Sequence, residues 1–109
     1  MVLLGLETYG PTYIMDRFVE QCQIQAHNFD SELLRKYDAY FYFKELPDNR
    51  YLMEFKQYRH RRHSKVIAWL EFSRTGNRLQ VLDVSDHSLL GHVLNSMFYE
   101  AGWRAGFKV

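Results

Sequence analysis

Two short stretches gather side chains suited to binding or catalysis. The first is "QYRHRRHSK", Gln57 to Lys65, in which Arg59, Arg61, Arg62 and Lys65 surround His60 and His63, with Tyr58 leading in. Planar guanidinium forks suit phosphate or carboxylate oxygens, and a phenol ring beside them can stack on a base. The two histidines would add charge at mildly acidic pH. Four permanent charges so close together repel one another, which places the segment at a loop tip where water screens them. A loop of this size neutralises only a few phosphates, so alone it would hold a polyanion weakly. A solvated hairpin end is the plain alternative.

The second stretch, "PDNRYLMEFK", has the letters of the PD-(D/E)xK nuclease signature: Pro47-Asp48, then Glu54-x-Lys56. In that chemistry acids hold a divalent metal and a lysine orients the attacking water. Glu54 and Lys56 would share a strand face, as required. Asp48 would not join them, because six residues along a strand cover roughly 20 Å at ~3.3 Å each. A metal-dependent nuclease is therefore the least favoured reading. His60 and His63 have H-x-x-H spacing but no cysteine near in sequence to complete a site. His87 and His92 are five residues apart, about 140° around a helix, and do not clamp one ion. Cys22 sits on an apolar helical stripe, where a thiol is inert. Asp86, His87 and Ser88 are neighbours at a helix start, whereas a triad needs side chains that converge in space. No glycine-rich phosphate loop is present. No catalytic residue, metal site or cofactor is assigned, and the expectation is a protein that is not an enzyme.

The elements that position these residues can be read from periodicity. "GPTYIMDRFVEQCQIQAHN" begins with a helix-starting proline and repeats Ile14, Met15, Phe18, Val19, Cys22 and Ala26 at helical steps. Asp30 is placed to cap a further turn over "SELLRKY". In "DAYFYFKELPDNRYLMEFKQY", Pro47 and Asp48 suit a type I turn and Asn49 a left-handed residue. That turn pairs Phe43 with Met53 and Phe41 with Phe55 on one face, and a slip of one residue would mix the two faces. The next hairpin turns through 59–64 and brings Val66, Ala68, Leu70 and Phe72 to the first face. "RTGN" makes a third turn, after which Leu79 and Val81 join that face. "SDHSLLGHVLNSMFYEAGW" is a second helix, capped by Ser85 or Asp86, with Gly102 as its stop. "WRAGFKV" is placed as a short edge strand. The fold expected is α+β: one domain over residues 1–109, a four-stranded antiparallel meander flanked by an N-terminal and a C-terminal helix, α-β-β-β-β-α.

The same register puts Tyr40, Tyr42, Leu52, Ile67, Trp69, Leu82 and Val84 on the second face of the sheet. A free sheet face should be mostly polar, and this one is half apolar. Either one helix covers each face, or both helices share the first and the second is a docking or dimer surface.

Composition bounds the rest. The chain has 109 residues, 47% hydrophobic and 25% charged, the balance of an ordinary globular protein. Its net charge of +1 hides an uneven layout. Residues 50–78 carry eight basic groups against Glu54 and Glu71, while residues 1–49 carry eight acidic against four basic. One cysteine excludes an internal disulfide framework, and "MVLLGL" is too short for a signal or a membrane span, so a cytoplasmic location is expected. The leading expectation is an interaction protein that docks on a nucleic acid or nucleoprotein complex. It would use the basic loop (Tyr58 to His63 and Lys65) and the aromatic face (Tyr40, Tyr42, Leu52, Ile67, Trp69, Leu82). A small blocking or regulatory protein of the kind viruses and mobile elements encode fits that description. The alternative is a protein–protein adaptor or homodimer without nucleic-acid contact.

Overall fold

A computed structural model describes residues 11–29, 35–36, 38–60, 63–85 and 89–109, and of these only the backbone at 11–14, 27–29, 58–60 and 63–64. The elements run α1 (Pro11–Phe29), β1 (Ala39–Leu46), β2 (Arg50–His60), β3 (His63–Thr75), β4 (Arg78–Val84) and α2 (Leu89–Arg104). The strands form one antiparallel sheet in the order β1-β2-β3-β4. This is the α-β-β-β-β-α arrangement that the hydrophobic periods dictate. The further turn expected after Asp30 falls largely outside the described residues.

The first hairpin has the register its turn requires, with Phe43 opposite Met53 and Phe41 opposite Phe55. Both Asp48 (φ 62°) and Asn49 (φ 57°) take the left-handed conformation, so the turn is not the type I shape expected at Asp48. Short polar side chains tolerate that region by bonding locally. At the third turn the positive φ falls on Gly76 (63°), the pattern of a type II′ hairpin.

Both described helices lie on the first face. Met15, Phe18 and Cys22 from α1, and Leu90, Leu94, Met97, Phe98 and Ala101 from α2, share one core with Met53, Phe55, Ala68, Leu70 and Phe72 from the sheet. Phe18 is fully buried at its centre, with ring centroids 5.1 Å from Phe72, 6.1 Å from Phe43 and from Phe98, and 6.3 Å from Phe107.

Two β-bulges change the expected face assignments. Phe55 pairs with Ala68 but Lys56 with Val66, so Ile67 is the extra residue. Val66 thereby turns to the second face and is exposed, while Ile67 packs at the margin of the core. Glu71 pairs with Asp83 but Phe72 with Val81, so Leu82 is extra, and Val84 returns to the core face opposite Leu70. A bulge inserts one residue and resets the two-residue alternation beyond it.

The helix caps also differ from expectation. Ser85 does not turn toward α2: its hydroxyl oxygen accepts the Trp69 N–H (3.0 Å) and its own N–H donates to the Trp69 carbonyl (2.9 Å). Asp86 lies outside the described residues. Helix α2 runs past Gly102 and stops at Gly106 (φ 91°). There the Phe107 N–H donates to the Gly102 carbonyl (2.8 Å) and the Gly106 N–H to that of Trp103 (3.1 Å), the paired bonds of a Schellman cap. Gly102 serves packing instead, since a Cβ there would come within 2.4 Å of Val109 Cγ1. The C-terminal segment returns beside β4 as one parallel bridge, Arg78 with Lys108, and not as a full strand.

Candidate interaction surface

The face of the sheet turned away from both helices follows from the pairing. Strand β1 contributes Tyr40, Tyr42 and Lys44, strand β2 Arg50, Leu52, Glu54 and Lys56, and strand β3 Val66, Trp69 and Glu71. Strand β4 adds Gln80 and the bulge pair Leu82 and Asp83. Among the described residues no helix or strand lies over this face. Tyr40 (47%), Tyr42 (40%), Val66 (39%) and Leu82 (48%) are exposed, and Leu52 and Trp69 are half-buried. Of the apolar set expected here, Tyr40, Tyr42, Leu52, Trp69 and Leu82 are present. Ile67 and Val84 belong to the core margin, and Val66 takes Ile67's place.

Glu54 lies at the middle of this face. Tyr42 stands opposite it on β1 and Trp69 on β3. Its side chain is only 5% exposed, although no helix among the described residues covers it. Lys44 Nζ and Lys56 Nζ each stand 3.9 Å from Oε1, and Lys56 also lies over the Tyr42 ring at 4.6 Å. At that separation the lysines attract without hydrogen-bonding, and Glu54 Oε1 has no hydrogen-bond partner. Arg50 and Glu71 form a closer pair at 2.7 Å further along. The face thus carries interleaved charges of both signs around an aromatic centre.

The basic hairpin end joins β2 to β3. Gln57 pairs with Lys65, Tyr58 with Ser64, and His60 with His63, with an irregularity between Tyr58 and His60. The hairpin expected there is present, and Lys65 is exposed. Arg61 and Arg62 lie outside the described residues, as do the side chains of Tyr58, Arg59, His60 and His63.

The letters that suggested a nuclease are not drawn together: Asp48 is in the β1–β2 turn and Glu54 in the middle of β2. No group of three His, Cys, Asp or Glu side chains able to hold a metal exists among the described residues. Cys22 is fully buried, and burial pushes its thiol pKa well up, which disfavours the reactive thiolate. One titratable group escaped sequence reasoning. Asp16 on α1, Glu45 on β1, and Tyr51 and Arg74 on β2 and β3 meet at one end of the core. Burial, and then the Glu45 charge, raise the Asp16 carboxyl, and Asp16 Oδ2 is buried without a hydrogen-bond partner. Burial followed by Glu45 raises the Tyr51 phenol, while Arg74 lowers it by charge and a hydrogen bond. Four separate elements supply these residues, so no spacing in the chain announces them.

No helix among the described residues is long and apolar enough to cross a membrane. No family model, curated protein or solved structure matches the chain.

Proposed function

We propose that this is a non-enzymatic interaction protein that docks on a nucleic acid or nucleoprotein complex. The observation that carries the reading is the aromatic sheet face, with Tyr40, Tyr42, Val66 and Leu82 exposed while both described helices pack on the opposite side. Exposed aromatic and aliphatic side chains gathered on one face are a mark of docking surfaces. Bases have π-faces that stack on tyrosine and tryptophan, and such stacking contributes about 1–3 kcal/mol per base. Lys44, Arg50 and Lys56 stand among the rings, within reach of phosphates. The basic segment at 59–65 supplies long-range attraction from the same sheet. Binding of this kind occupies a surface without transforming it, which suits a blocking or regulatory role.

A second reading, a protein–protein adaptor, is favoured by one specific observation: Glu54, Glu71 and Asp83 nearly balance the cations of this face. The test is retention on immobilised single-stranded DNA and RNA across a salt series. The wild type should be retained at low salt, and replacing Arg59, Arg61 and Arg62 with Ala should abolish retention and flatten its salt dependence. Every phosphate left without its cation should reduce the log–log salt slope by roughly 0.7–0.9. A wild type that is never retained, or a triple variant retained equally well, would transfer the conclusion to the adaptor.

A further inference from the structure

The two edges of the sheet are finished differently. At β4 the chain closes its own edge. The Leu79 N–H donates to the Lys108 carbonyl (2.8 Å), and the Lys108 N–H donates to that of Asn77 (2.8 Å). The Val84 N–H donates to Asp83 Oδ1 (2.9 Å), and the bulge at Leu82 breaks the ladder's regularity. These are the devices by which proteins prevent one sheet from adding to another. Strand β1 has neither a covering segment nor a bulge among the described residues; the charges it carries are Lys44 and Glu45. Its eight residues pair with β2 in an unbroken register from Ala39–Gln57 to Leu46–Arg50, with no bulge and no proline, and the sheet ends there among the described residues. The outer side of such a strand presents alternating N–H and C=O groups, and the group that fits them is another strand.

We propose that the occupant is a second copy of this chain, joined by antiparallel pairing of β1 with β1 about a two-fold axis at Tyr42. The side-chain pattern carries the choice of partner. With Tyr42 on the axis, Tyr42 meets Tyr42 of the second copy, and Phe41 meets Phe43 on the core side. Tyr40 meets Lys44, an ammonium against a ring, and Ala39 meets Glu45. No charge faces its like, and no charge faces a phenylalanine. Moving the axis to Phe43 would set Phe41 against Glu45, and moving it to Phe41 would shorten the pairing from seven residues to five. Phe41 and Phe43 are only partly buried at the margin of the core, so this pairing also covers their remaining surface. The product is one eight-stranded sheet with a continuous aromatic stripe and the two basic hairpin ends at opposite extremities. This proposal needs no nucleic acid and stands or falls independently of the functional reading.

Register-specific crosslinking tests it. On the axis, Cβ atoms of the two copies lie about 4.5–5.5 Å apart, close to disulfide reach. Two residues further along, at Lys44, the separation between copies is four residues of strand, about 13 Å at ~3.3 Å each. Both positions are exposed, and native Cys22 is buried and does not compete. Light scattering of the wild type should give a dimer. Mild oxidation should convert Tyr42→Cys to a covalent dimer and leave Lys44→Cys uncrosslinked, with circular dichroism confirming that both are folded. A wild type that stays monomeric at the highest concentration reached would overturn the proposal, as would equal crosslinking of the two variants. A dimer that Trp69→Asp dissociates and Tyr42→Cys fails to crosslink would also overturn it, moving the contact to the sheet face.

Discussion

Replacing Phe18 with Ala should be among the most damaging single changes in this protein. The ring is fully buried, and it touches four others from β1, β3, α2 and the C-terminal segment. It is the largest fully buried side chain by which α1 is fastened to the sheet and to α2. Truncating a core Phe to Ala forfeits the transfer free energy of the ring and leaves a cavity, together about 3–5 kcal/mol. The aromatic pairs, each ~0.5–1.5 kcal/mol beyond area burial, place this site near the top of that range. For a chain of this length 1 kcal/mol moves the melting midpoint by about 4 °C, so the expected fall is roughly 12–20 °C. Leu82→Ala is the matched control on the other face. That side chain is 48% exposed at the bulge of β4, away from the β1 edge, so its removal should cost less than about 1 kcal/mol. Urea unfolding followed by circular dichroism measures both. Equal destabilisation by the two variants, or a cost at Phe18 below about 1 kcal/mol, would refute the assignment of core and open face.

Two further outcomes follow from a buried thiol and a partly buried carboxyl. Cys22 should resist a thiol reagent in the native protein and react at the rate of unfolding, a rate that rises with urea. Immediate reaction in buffer would show that the α1 stripe is not packed as described. At Asp16 the native pKa is raised by burial and then by Glu45, so just above the ordinary value of 3.8 the native state holds more proton than the unfolded chain. Stability contributed by this group is accordingly highest below 3.8 and is lost as pH rises through the raised native value. Asp16→Asn should therefore gain stability over the wild type at neutral pH, and the gain should shrink as the pH is lowered toward 3.8. A gain that does not change with pH would assign the effect to something other than the Asp16 charge.

Most of the fold is legible in the chain because local and long-range signals agree. Pro47-Asp48-Asn49 fixes a turn, the alternation of aromatics on either side fixes a face, and the two together fix the register of Phe43 with Met53. The bulges are not legible. Alternation can be followed through "SKVIAWLEF" without interruption, yet the ladder inserts Ile67 and exposes Val66. Nothing local marks the inserted residue. Two glycines compete to end α2: Gly106 takes the left-handed stop, while Val109 packs against Gly102, a proximity no periodicity reveals. The same holds for the site. Spacing places Tyr40, Tyr42, Leu52 and Trp69 together on one face. The burial of Glu54 needs three strands to be assembled first, and the meeting of Asp16 with Glu45 needs a helix docked on the sheet.

Whether the aromatic face is an open docking surface is decided by hydroxyl-radical footprinting of Tyr40, Tyr42 and Leu82, with and without a single-stranded oligonucleotide at low salt. All three should react readily in the free protein and be protected together when the oligonucleotide is added, while buried Phe18 and Phe72 stay unreactive throughout. Protection already present in monomeric free protein, or reactivity unchanged by the oligonucleotide, would rule out nucleic-acid docking on this face.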